Sequence, residues 1–257
     1  VHAASLNIAP HPVRRREGRD YFGNRMTWVS FDQPHETLTV RVAARIAVEH
    51  GAPPEAAATM PWNEVRAAAF TGDDLSPASP VHHLFPSRQV SLDPEIRAYA
   101  ALSFAAGRPV LEGAFDLTQR IKREFAYDTA ATTVTTTAPM SFALRRGVCQ
   151  DFSHIMISGL RGLGLPAAYV SGYLRTVPSP DAVRLQGADA MHAWVLLWCG
   201  PGTGWIGLDP TNGMLAGDDH VVLAIGRDYA DVAPIDGVIV AAGGQQIEVA
   251  VQVIPLK

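Results

Sequence analysis

Cys149-Gln150-Asp151-Phe152-Ser153-His154-Ile155-Met156 follows directly on Arg145-Arg146-Gly147-Val148. Advanced by about 100° per residue, Cys149, Phe152, Met156, Leu160 and Leu163 share one face, so the segment reads as a helix. Gly147 permits a sharp entry, Gly164 stops the helix and Pro166 prevents its return. The thiol therefore sits in the first turn, above a buried stripe. Helix N-termini carry unpaired N–H groups and partial positive charge, which favour a nearby anion and can bind the oxyanion of a tetrahedral intermediate.

Working outward, residues 190–198 alternate, with His192, Trp194, Leu196 and Trp198 on one side and Ala193, Val195 and Leu197 on the other. Residues 204–209 alternate again and place Trp205, Gly207 and Asp209 together. Between them Cys199-Gly200-Pro201-Gly202-Thr203-Gly204 is a dense turn signal. A turn centred on Gly200-Pro201 sets His192 directly opposite Asp209. A turn centred on the middle of the glycine-rich run shifts the register by two and makes the contact diagonal on the same face. Either way a histidine and an acid are neighbours, and the acid precedes Pro210, which favours extended backbone. A thiol, a base and an orienting acid in this chain order indicate a cysteine-dependent acyl-transfer enzyme, with Cys149, His192 and Asp209 as its catalytic residues.

Cys149-Gln150-Asp151-Phe152, Met191-His192-Ala193-Trp194 and Asp209-Pro210-Thr211-Asn212 closely resemble the bacterial branch of the transglutaminase-like superfamily, whose members are commonly assigned as cysteine proteases. The resemblance extends through Asp20-Tyr21-Phe22-Gly23-Asn24, Asp93-Pro94-Glu95-Ile96, Ser103-Phe104-Ala105, the run from Tyr169 to Leu174 and the run from Gly226 to Val232. It implies a papain-like core whose Cys-His-Asp triad falls on Cys149, His192 and Asp209. It also implies a small β-rich N-terminal domain, with a further strand upstream of the sequence given. Met191 stands where the family usually has a small residue such as serine, so a narrower pocket beside His192 is expected.

The 257 residues are 47% apolar with a formal net charge of −4, enough for a real core and without the basic face that a nucleic-acid binder needs. Arg14-Arg15-Arg16 reads as a solvated loop. No apolar run approaches the ~20 residues of a membrane span, and the first residues do not form a signal peptide, so a cytoplasmic protein is expected. With two cysteines a single disulfide would make the chain a secreted structural protein. The alternative reading, preferred here, is Cys199 as a buried or turn thiol without chemistry.

Thr71-Gly72-Asp73-Asp74 and Ser76-Pro77-Ala78-Ser79-Pro80 are polar and turn-rich and suggest a linker over 71–92, dividing a β-rich domain (1–85) from a catalytic domain (86–257). In the first, Arg25–Phe31 and Thr37–Val48 read as strands joined across Asp32-Gln33-Pro34-His35, and Pro61–Phe70 as a short helix. In the second, Asp93-Pro94-Glu95 is a helix start, and Leu117, Ile121 and Phe125 mark another helix. Thr132–Thr137 is threonine-rich and extended, a loop or strand leading to the nucleophile. Strands are expected near 167–176, 190–198, 204–209, 220–229 and 246–254, with Gly243-Gly244 as a hairpin turn. Helices first and strands later indicate an α+β fold, with helices packed on an antiparallel sheet.

Other candidates have plainer readings. His154 lies about 140° from Cys149 around the helix and reads as a structural hydrogen-bonding residue. Asp151 supports the helix N-terminus. His82-His83 read as exposed loop. Trp194 and Trp205 read as core or pocket wall, with substrate contact as the alternative and Trp194 the candidate for it. Gln150 is the candidate oxyanion donor, through its backbone N–H. With no acidic calcium loop, no metal or cofactor is expected. The expected partners are a peptide or protein substrate and, if the thioester is resolved by an amine rather than water, an amine acceptor. Hydrolysis is slightly favoured over a transglutaminase or amide-forming reaction, because nothing identifies an amine site. A catalytically idle binding or scaffolding domain is the remaining class.

Overall fold

The computed structural model describes residues 1–49, 51–72, 74–175, 190–241 and 243–256. The chain forms two compact units, Val1–Gly51 and Ala52–Lys257.

The first unit holds strands β1 (Ala3–Ala9), β2 (Arg14–Arg19), β3 (Arg25–Ser30) and β4 (Thr39–Arg45). They pair antiparallel as β1 with β4 and β2 with β3. The two strands expected from sequence are present, but not as a hairpin: each pairs with an upstream strand, and Asp32–His35 connects two different ribbons. The reason lies in Arg14-Arg15-Arg16, which belongs to β2 and not to a loop. Long arginine stems suit an exposed strand because their charged heads stay in water. Arg15 pairs with Glu17 at 2.6 Å, and the Arg16 guanidinium lies 5.7 Å from the Trp28 ring.

The boundary also differs from the expected one near residue 85, because residues 52–85 belong to the larger unit. There α1 (Trp62–Thr71) is pinned by Trp62 N–H to the Arg108 carbonyl at 3.0 Å and by Val110 N–H to the Met60 carbonyl at 2.9 Å. Val65, Ala69, Leu84 and Val90 are buried. The polar composition of 71–92 therefore marks surface turns on a packed segment, not a separation between domains. His83, expected in an exposed loop, is buried and meets the edge of Trp205 at 5.3 Å.

Helix α2 (Pro94–Ala101) starts as expected, with the Asp93 carboxylate accepting from the Glu95 and Ile96 amides at 2.9 Å. Helix α3 (Val110–Glu124) buries Leu117 and Ile121, and Phe125 ends it. Then come β5 (Ala126–Tyr127), a short α4 (Ala138–Leu144) that follows the threonine-rich loop and was not expected from sequence, and β6 (Arg146–Gly147), which pairs parallel with β5. Helix α5 (Cys149–Gly162) is buried from Asp151 to Arg161. Its approach to α2 depends on Gly159, where a Cβ would stand 2.7 Å from the Ala100 methyl carbon.

Strands β7 (Ala167–Leu174), β8 (Ala190–Trp198), β9 (Trp205–Asp209), β10 (Met214–Leu215) and β11 (His220–Gly226) form one antiparallel sheet, in the order β10-β9-β8-β7-β11. Ala193, Val195 and Leu197 join the core with Phe152, Met156 and Leu160 of α5. Tyr229–Val232 is a short helix, α6, where β11 was expected to continue. The strand expected over 246–254 is not formed: its described residues show only an isolated bridge at Val251. The architecture is α+β, with helices on an antiparallel sheet.

Candidate active site

The entry to α5 is shaped by one glycine. A Cβ on Gly147 would stand 2.5 Å from Asp151 Oδ2 and 2.8 Å from Ser141 Oγ, so only hydrogen fits. With that space open, Asp151 Oδ2 turns back to accept the Val148 N–H at 2.8 Å and the Thr132 hydroxyl at 2.6 Å. This caps the helix and ties the threonine-rich loop to it. Cys149 follows as the first helical residue, half-buried, with Gln150 beside it. Their N–H groups lie in the turn that α-helical geometry leaves without carbonyl partners.

The hairpin takes the second of the two registers open to the sequence. Val195 pairs with Leu208 and Trp198 with Trp205, so the turn centres on the glycine-rich run and His192 meets Asp209 diagonally. His192 Nε2 lies 2.8 Å from Asp209 Oδ2. Cys149 lies near enough to His192 to help raise its pKa. The structure thus pairs His192 with Asp209 and places Cys149 near enough to influence His192.

Electrostatics follow from burial and partners. Burial opposes the His192 imidazolium, but the hydrogen bond with Asp209 and the nearby Cys149 thiol outweigh it and raise His192 to about 9. Burial likewise opposes the Asp209 charge, yet the hydrogen bonds from His192, His220 and Asn212 hold its carboxyl well below the usual range. Asp209 is fully buried and saturated with donors. Oδ1 accepts the Thr211 and Asn212 amides at 2.9 and 3.0 Å. Oδ2 accepts from Asn212 Nδ2 at 2.7 Å and lies 3.1 Å from His220 Nε2.

Two of these partners had no assigned role in the sequence. Asn212 was visible only as part of a motif. His220 showed only as the first residue of an expected strand, and nothing in local periodicity links β11 to β9. Trp194 needs correction as a substrate-contact candidate: at 1% exposure it is enclosed. Its ring stacks on His192 at 6.1 Å and meets His220 edge-on at 5.1 Å, so it backs the site. Gly172 gives it room, since a Cβ there would stand 2.5 Å from the indole.

The remaining candidates lie apart from this site. His154 is buried, accepts the Tyr229 N–H at Nε2 (3.2 Å) and is pushed down to about 4 by burial, which fits its structural reading. Cys149 and Cys199 are both free. Cys199 is buried, and burial pushes its thiol up to about 12. His192, Asp209 and His220 are the group of described residues whose ligand atoms come close enough to be considered for a metal. Their 2.8 and 3.1 Å separations are hydrogen-bond lengths, shorter than the roughly 3.3 Å between two ligands of one tetrahedral zinc ion. Among the described residues, no helix is long and apolar enough to cross a membrane.

Comparison with known proteins agrees with this geometry. Residues 98–210 match the core of the transglutaminase-like superfamily, and residues 1–47 match the bacterial transglutaminase-like N-terminal region. An uncharacterized protein of Mycobacterium tuberculosis is 37% identical over 99% of this chain and 82% of its own length. The chain belongs to the transglutaminase-like superfamily. An uncharacterized Mycobacterium leprae relative is 29% identical over 91% of this chain and 79% of its own length. A crystal structure from Cytophaga hutchinsonii, described as a "putative cysteine protease", shares the transglutaminase-like fold. It has a TM-score of 0.61 at 23% identity, over 90% of this chain and 72% of that one.

Proposed function

We propose that the protein is a cysteine-dependent acyl-transfer enzyme that hydrolyses peptide or carboxamide bonds through a thioester on Cys149. The observation that carries this reading is the His192–Asp209 pair, with His192 Nε2 2.8 Å from the carboxylate, beside Cys149 in the first turn of α5, whose thiol helps raise the His192 pKa. His192 takes the thiol proton, and the sulfur attacks the carbonyl carbon. The oxyanion is stabilised by first-turn N–H groups of α5, that of Gln150 among them. His192 then gives its proton to the departing amine as the C–N bond breaks, leaving the thioester. Water, deprotonated by His192, releases the acid and regenerates the thiol. Asp209 holds the His192 tautomer and offsets its charge throughout. The substrate is a peptide or protein that reaches the half-exposed thiol.

The test is a peptide-library digest, with and without a primary amine, run beside Cys149→Ala. Hydrolysis predicts new free carboxylates that are absent from the variant. Dominant amine adducts would assign the enzyme to transamidation instead. Absence of any Cys149-dependent product would leave an idle binding domain.

A further inference from the structure

We propose that His220 is a positioning residue of this site, acting through Asp209 to set how firmly His192 holds its proton. The inference rests on the reading of Cys149, His192 and Asp209 above, and its experiment separates the two.

His220 opens β11, three strands from Asp209 in the sheet order, yet its Nε2 lies 3.1 Å from Asp209 Oδ2. Its tautomer is fixed by the backbone. The Gly217 N–H donates to His220 Nδ1 at 3.1 Å, so Nδ1 presents its lone pair and the ring proton sits on Nε2. The His220 N–H returns a bond to the Gly217 carbonyl at 2.8 Å, which closes the turn on the imidazole. The ring is 1% exposed and packs against Trp194 at 5.1 Å, so water cannot replace the Nε2–H donor. His220 therefore enters as a neutral donor on the oxygen that also binds His192.

That shared oxygen gives the residue its effect. Thr211 and Asn212 donors already hold the carboxylate in place, so His220 adds little to its position. It adds a competing donor that spreads the Asp209 charge and weakens its hold on the His192 proton. A histidine that holds its proton too firmly is a poor acid for the leaving amine. The titratable groups facing the pair are Cys149 from α5 and His220 from β11. The neighbouring strand β7 presents Gly172, and Lys122 of α3 lies against Gly213, beyond the Asp209 turn.

The experiment compares alkylation of the full chain by anionic iodoacetate and neutral iodoacetamide as pH rises. Iodoacetate reacts preferentially while His192 is an imidazolium, so the loss of that preference marks where His192 gives up its proton. In His220→Phe, which keeps ring volume without the donor, the alkaline limb is expected to move upward. At about pH 10 the variant then keeps a severalfold greater iodoacetate preference than wild type. His220→Gln places an amide nitrogen near the Nε2 position and restores the wild-type limb. His220→Asn reaches only the Nδ1 position, facing Gly217, and does not. A purely structural role lowers the folded fraction at every pH without moving the limb. A folded His220→Phe protein with an unmoved or lowered limb, or equal rescue by Asn and Gln, would overturn the proposal. A wild-type protein whose Cys149 shows no iodoacetate preference at any pH overturns the underlying triad reading as well.

Discussion

At the residue scale, the site is a balance between burial and hydrogen bonding. His192 holds its proton more tightly in the folded chain than in the unfolded one, rising to about 9. Its contribution to stability is therefore whole below about pH 6.5 and is lost as pH rises through its folded value. Asp209 acts in the opposite sense: its contribution is present above the usual carboxylate range and is lost only on strong acidification. The melting-temperature difference between wild type and His192→Phe should shrink between pH 6.5 and 9, because the Asp209 charge is constant there; a difference that stays flat would contradict the coupling. Cys149, His192 and Asp209 were legible because a helix start and a hairpin are local patterns, and period-2 alternation puts the histidine and the acid on one face in either register. His220 was not, because its contact with Asp209 reaches across the sheet from β11 to β9, a matter of three-dimensional packing.

At the scale of elements, α5 does two jobs, presenting Cys149 at one end and anchoring the fold at the other. Arg161 is buried near the C-terminal end, and its guanidinium donates to the carbonyls of His83, Phe85, Ala167 and Arg227 and to the Ser87 hydroxyl. Burial lowers its pKa to about 10, well above neutrality, so the cation persists. Arg161→Leu would leave several buried carbonyls without a donor and should cost on the order of 3 kcal/mol or more, read as a shifted urea midpoint. A loss below about 1 kcal/mol would show that water reaches those carbonyls. The sequence marked this helix by its apolar stripe but not Arg161, since an arginine in an amphipathic pattern ordinarily reads as exposed. The unexpected α4 and β2 have a similar cause: seven residues are too few for a clear period, and three arginines resemble solvated loop.

At the scale of the whole molecule, Cys149, His192, Asp209 and His220 all lie in the unit that begins at Ala52. A chain starting at Ala52 should fold and keep its Cys149 alkylation rate within about twofold, because each of these four residues belongs to the larger unit. Loss of that rate with the fold intact would give the N-terminal unit a part in the chemistry. Activation of Cys149 by His192 is read most directly from the peptide-resolved rate of iodoacetamide alkylation near neutral pH. Cys199, buried and with its thiol pushed up to about 12, serves as the unreactive control within the same molecule. Wild-type Cys149 is expected to react far faster than Cys199, and His192→Ala to slow Cys149 by about 100-fold. Equal Cys149 rates in wild type and a folded His192→Ala would contradict that activation.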